Sequence, residues 1–141
     1  MQPAGPVSVL GHFDDASFMH AGTPTRFVQR DGHYFVTTGG PAGKPAEFEV
    51  RYTFGITPLQ QYLVELPRGH VQALSIAWDA RPASAGDQRW FDLYPDERLR
   101  PGDPLHWTGY LQNWNFMCAD CHSTNLRKNY DATTDAYAST W

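Results

Sequence analysis

The stretch Arg26-Phe27-Val28-Gln29-Arg30-Asp31-Gly32-His33-Tyr34-Phe35-Val36-Thr37 decides the fold class. Two runs rich in aromatic and β-branched residues flank Asp31-Gly32, and Asp-Gly supplies the positive φ angles that a two-residue hairpin turn needs. A loop bearing Gly and Pro, 39–45, follows. Phe48, Val50, Tyr52 and Phe54 then alternate with Glu47, Glu49, Arg51 and Thr53, a period of two with one buried face. Tyr62, Val64 and Leu66 repeat the pattern, as do Leu74, Ile76 and Trp78, with Val71, Ala73 and Ala77 opposite. This predicts a mainly β chain, an antiparallel meander over 1–80 curled into a sandwich or half-barrel. Past Arg81 the prolines Pro82, Pro95, Pro101 and Pro104 break regular structure. Residues 81–141 are therefore expected to be loop-rich. Asp103-Pro104 opens a turn at Leu105-His106-Trp107, and a final helical segment runs from near Asn115 through Tyr130. The two parts form one compact domain.

Bulk properties narrow the function classes. The 141 residues and their apolar content are enough for one ordinary core, and five Trp, seven Tyr and eight Phe suit either a small core or the wall of a flat ligand. The formal charge of −4 provides no basic stripe for phosphates, so nucleic acid is not expected as a partner. No apolar run approaches the ~18 residues of a membrane span, and the start Met1-Gln2-Pro3-Ala4 has no signal-peptide pattern. Two cysteines three positions apart are no disulfide framework of the small secreted type.

Those cysteines form Cys118-Ala119-Asp120-Cys121-His122, the C-x-x-C-H signature of covalent haem c attachment. On a helical turn Cys118 and Cys121 are i, i+3 and Cys118 and His122 are i, i+4. Both sulfurs can then reach one edge of a porphyrin while the imidazole swings beneath the iron. Other readings stay open. Zinc usually takes four ligands, commonly from two such pairs, and there is one pair here. A redox C-x-x-C expects a strand–helix context in a βαβ unit, and these strands read as antiparallel. The pair can also be inert structural thiols.

Several longer runs carry a family likeness. They are Phe13-Asp14-Asp15-Ala16-Ser17-Phe18, Arg51-Tyr52-Thr53-Phe54-Gly55, Pro58-Leu59-Gln60-Gln61-Tyr62, Ala73-Leu74-Ser75-Ile76-Ala77-Trp78-Asp79, Arg89-Trp90-Phe91-Asp92-Leu93-Tyr94-Pro95 and Leu105-His106-Trp107-Thr108-Gly109. The most specific is Gln112-Asn113-Trp114-Asn115-Phe116-Met117, running directly into Cys118 and on through Ser123-Thr124-Asn125-Leu126. Together they resemble bacterial multihaem c-type cytochromes of the c-554 type, which carry doubled C-x-x-C-H motifs and often tetratricopeptide repeats downstream. The resemblance implies haem c as cofactor, redox proteins or further haems as partners, and export to the periplasm. Members have a signal sequence, an earlier C-x-x-C-H with a His-His pair, and a later C-x-x-C-H, none of which occurs here. The expectation is that this chain is an internal piece of such a protein, or a truncated product.

His122 is the expected proximal ligand. For the distal position His106 comes first, because Trp107 and Trp114 lie nearby in sequence to pack on the porphyrin faces. A loop histidine held by a hydrogen bond is its structural alternative. His20 comes second, and a ligand outside this chain is a third option. His12, His33 and His70 read as ordinary strand or loop residues, and Met19 and Met117 as core packing. Arg127 and Lys128 read as a solvated helix end, with propionate pairing as the alternative. Asp14-Asp15 and Asp131 with Asp135 read as turn and surface residues. Two function classes follow: electron transfer, or an oxidoreductase acting on a small nitrogen or sulfur compound. A structural or docking β module with a C-x-x-C metal or dithiol site is a third. Nothing in the sequence supplies a substrate pocket, which favours electron transfer.

Overall fold

The computed structural model of the chain describes residues 1–20, 22–82, 84–85 and 88–141. The strands are β1 (Gln2–Pro3), β2 (Asp14–His20), β3 (Thr23–Arg30), β4 (His33–Gly39), β5 (Pro45–Phe54), β6 (Leu59–Leu66), β7 (His70–Asp79), β8 (Trp90–Asp92), β9 (Tyr130–Asp131) and β10 (Ala136–Tyr137). All pairings are antiparallel, and β2 to β8 pair in sequence order. This is the expected meander. It curls until β2 and β8, the two ends of the path, meet along a seam. There His20 Nδ1 approaches Asp92 Oδ2 at 2.9 Å. The short β1 pairs with the far end of β5, just beyond the last residue that β4 reaches.

The hairpin that opens the argument forms as its sequence requires. Arg30 pairs with His33, and Asp31 and Gly32 hold φ of 50° and 81°, both positive as a type I′ turn demands. Inside the curl lies the main core. Phe27 and Trp90 stack with ring centroids 3.6 Å apart, and Phe13 meets Phe27, Tyr34, Tyr62 and Trp90 edge-on. Val36, Val50, Val64, Leu74, Ile76, Trp78 and Trp107 complete it. Leu74, Ile76 and Trp78 thus point inward as expected. Val71 and Ala73 face the other way, into a second, smaller cluster with Leu63, Trp114 and Ala119.

One expectation about the strands fails in an instructive place. The alternation from Phe48 to Phe54 does not keep one face. Val50 pairs with Val64 and Tyr52 with Leu63, so β5 spends two residues where β6 spends one. This bulge at Arg51 reverses the phase of the strand. Phe48 and Val50 pack on the inner core, Tyr52 and Phe54 on the outer cluster, and Thr53 is buried in their stead.

The C-terminal helix is also shorter than the sequence suggested. A π-helical turn, Trp114–Cys118, runs into α1 (Ala119–His122), and Ser123 is already extended. Asn125 and Asn129 then take positive φ, which ends any helix and feeds the β9–β10 hairpin. Residues 105–107 form turns, with His106 N–H donating to the Asp103 carbonyl at 3.1 Å. Among the described residues no helix is long and apolar enough to cross a membrane.

Candidate functional site

The run Asn113-Trp114-Asn115 anchors the cysteine-bearing segment to the outer face of the sheet. Asn113 caps the π-helical turn by accepting from Phe116 N–H at 2.9 Å, and it bridges to Gln72 on β7. Asn115 is buried. Its Oδ1 accepts from Val71 N–H at 2.8 Å, while its amide donates to the Gly69 carbonyl at 3.2 Å and to Ser139 Oγ at 2.9 Å. One side chain therefore ties the cysteine segment to β7 and to the returning C-terminus. Gly69 makes that possible, because a Cβ there would lie 2.1 Å from the Tyr137 carbonyl oxygen and its φ is +72°. Reciprocal backbone bonds between Arg127 and Thr140, both 2.9 Å, then carry Trp141 back beside Tyr52, ring centroids 5.5 Å apart.

On this platform the motif occupies one helical turn. Ala119 is fully buried, Cys118 is half-buried against the outer cluster, and Cys121 and His122 are exposed. The His122 ring stands 5.7 Å from Phe54 and 5.8 Å from Trp114. Trp114 Nε1–H, completely buried, has no acceptor. Beyond His122 opens a groove of about 420 Å³, lined by Met1, Pro3, Tyr52, Ser123, Thr124 and Trp141. Burial first, and then the Cys121 sulfur, push the Cys118 thiol above its ordinary pKa. A buried thiol of this kind carries little thiolate at neutral pH.

Trp114 and His122 come together, whereas His106 and Trp107, grouped with Trp114 by nearness in sequence, lie elsewhere. Trp107 belongs to the inner core, donating Nε1–H to the Gly39 carbonyl at 2.7 Å with the Phe48 ring edge-on. His106 is buried beside it and does not line the groove at His122. Its Nδ1 sits 2.8 Å from Thr108 Oγ1, and burial lowers its pKa, with His20 adding to the effect. His20 has Ser75 Oγ 3.2 Å from Nε2, and its Nδ1 approaches Asp92 at an angle too poor for a hydrogen bond. His33 contacts Glu49, His70 contacts Asp135, and the His12 ring lies tilted against Trp78. Lys128 pairs with Asp120 at 2.6 Å, inside the motif, and lies over the Phe116 ring. Met19 and Met117 are exposed rather than core residues.

Comparison with family models, with curated proteins and with solved structures finds no match. The description of the chain as a metal-binding, iron-carrying multihaem cytochrome is corrected on three findings. The chain has two cysteines and hence at most one attachment pair. No family match supports a cytochrome. Among the described residues no group of three or more His, Cys, Asp and Glu could hold a metal ion. The physical reason is dispersion, since the other histidines are engaged on separate strands and loops. Among the described residues, the same finding leaves Cys118 and Cys121 without the further side-chain ligands that a zinc site usually takes. A single covalently attached macrocycle makes a smaller demand, because the ring brings four nitrogen donors of its own.

Proposed function

We propose that this chain carries one haem c, the thiols of Cys118 and Cys121 each adding across a vinyl group of the haem to give a thioether, that His122 would hold its iron, and that the chain serves electron transfer. The observation that carries the reading is the single turn presenting both sulfurs and the imidazole beside an open, aromatic-lined groove. When bound, the group supplies one-electron redox chemistry at its iron. The chain's own part is to fix the ligand and limit water. Ala119 and Trp114, buried beneath the turn, hold its backbone against β7. Phe54 and Trp114, their ring centroids 4.7 Å apart, together form one wall against the His122 ring. The low-polarity floor disfavours added charge and so tunes potential through burial.

Export belongs to the same proposal, because haem c is attached outside the cytoplasm. Redox proteins would then be the partners. The test is a pyridine haemochrome spectrum on the chain produced with an export signal and the haem maturation machinery. One haem c per chain is the expected result. A chain without haem, alongside a control cytochrome that matures normally, overturns the reading.

A further inference from the structure

We infer that the groove between Tyr52 and Trp141 is the bed on which the porphyrin plane rests, an inference that depends on the attachment reading above. The outer cluster is unfinished. Its five buried members, Leu63, Val71, Ala73, Trp114 and Ala119, are rimmed by Met1, Tyr52, Phe54, Cys118, Leu126 and Trp141, all only partly covered. That rim surrounds His122, which forms part of the groove wall. Half-exposed rings around a ligand histidine leave apolar surface in water at roughly 25 cal/mol per Å². A flat apolar body tethered at Cys118 and Cys121 would cover it. No Asp, Glu, Lys or Arg side chain lines this groove, and the charge at its edge is the α-amino group of Met1, 3.4 Å from the His122 carbonyl oxygen.

A second hollow competes for the role. It lies on the other side of the segment, about 320 Å³, with the exposed rings of Tyr110 and Phe116 in its wall. His122 is absent from it, Asp135 lines it, and its one histidine, His70, is engaged with Asp135 and Asn113. The groove at Tyr52 combines His122 with the rings of Tyr52 and Trp141 and has no charged side chain in its lining.

The deciding experiment is proton NMR of the matured chain, reduced under carbon monoxide so that the iron is low-spin and diamagnetic, against the haem-free chain. The porphyrin ring current should move the Tyr52 and Trp141 ring protons strongly upfield and leave Tyr110 and Phe116 in place. A Tyr52→Leu/Trp141→Leu variant should lose most of its Soret circular dichroism while still holding one haem per chain, and Phe116→Leu should not. Shifts on Tyr110 and Phe116 instead, with Tyr52 and Trp141 unmoved, would overturn the bed and leave the attachment standing. A matured chain with no haem would overturn the attachment reading, and the bed with it.

Discussion

The two apolar clusters of this molecule lie on opposite faces of one sheet and are built to different degrees of completion. The inner one is closed. Its rings interlock edge to face, and the curl of seven consecutive strands excludes water from all sides. The outer one has a buried floor and an open rim, and the rim is where His122 and the cysteines stand. Stability therefore concentrates in the first, and the second is free to receive something.

The hardest blow to that contrast would fall on the inner core. Phe27→Ala removes a fully buried ring stacked on Trp90 and should cost about 3–5 kcal/mol, read as a fall in the urea midpoint. A loss under about 1 kcal/mol would mean that the inner core is not what holds the fold. Asn115→Ala comes next. It strips the Val71 N–H of its acceptor and loosens the cysteine segment, for an expected cost of about 2 kcal/mol. Hydrogen exchange should rise at Val71 and along the attachment turn before it rises in β3 and β4.

Tyr52→Ala sharpens the comparison from the other side. The ring is only half-buried, so the haem-free chain should lose about 1 kcal/mol or less by the same denaturation. An effect as large as that of Phe27→Ala would show the outer cluster to be already complete. The acid limb gives a further check. Hydrogen bonds from the Arg81 side chain hold the Asp79 carboxyl down to about 2, at the end of β7. A folded pKa below the unfolded one contributes stability above the unfolded value, and that contribution is lost as pH falls toward about 2. Asp79→Asn should flatten this part of the stability–pH curve. The smallest effect is chemical: in the haem-free chain a maleimide should label exposed Cys121 before Cys118, whose raised pKa and partial burial leave little thiolate at neutral pH.

Much of the fold was legible along the chain, and the failures have local causes. Asp31-Gly32 announced its hairpin, and β7 alternated as its residues demanded, Leu74, Ile76 and Trp78 inward with Val71 and Ala73 outward. No Gly or Pro falls between Asn115 and Tyr130, so the segment reads as one long helix; the stop comes from extended Ser123 and from Asn125 and Asn129 in left-handed geometry. His106 and Trp107 were grouped with Trp114 by nearness in sequence. The turn at Tyr110–Gln112 carries the chain from the inner core to the outer face within a few residues, so nearness misled.

By itself the sequence determined the antiparallel meander and the spacing of Cys118, Cys121 and His122, since hairpin turns and helical i, i+3 and i, i+4 contacts are set by neighbouring residues. Only the tertiary structure decided what surrounds that turn. Tyr52 and Phe54 reach the outer face because one extra residue at Arg51 reverses the phase of β5, and pairing with β6, not local preference, places that bulge. Trp141 arrives there because Arg127 and Thr140 bridge after a hairpin. Contacts between residues so far apart depend on register and closure, and those are properties of the assembled sheet.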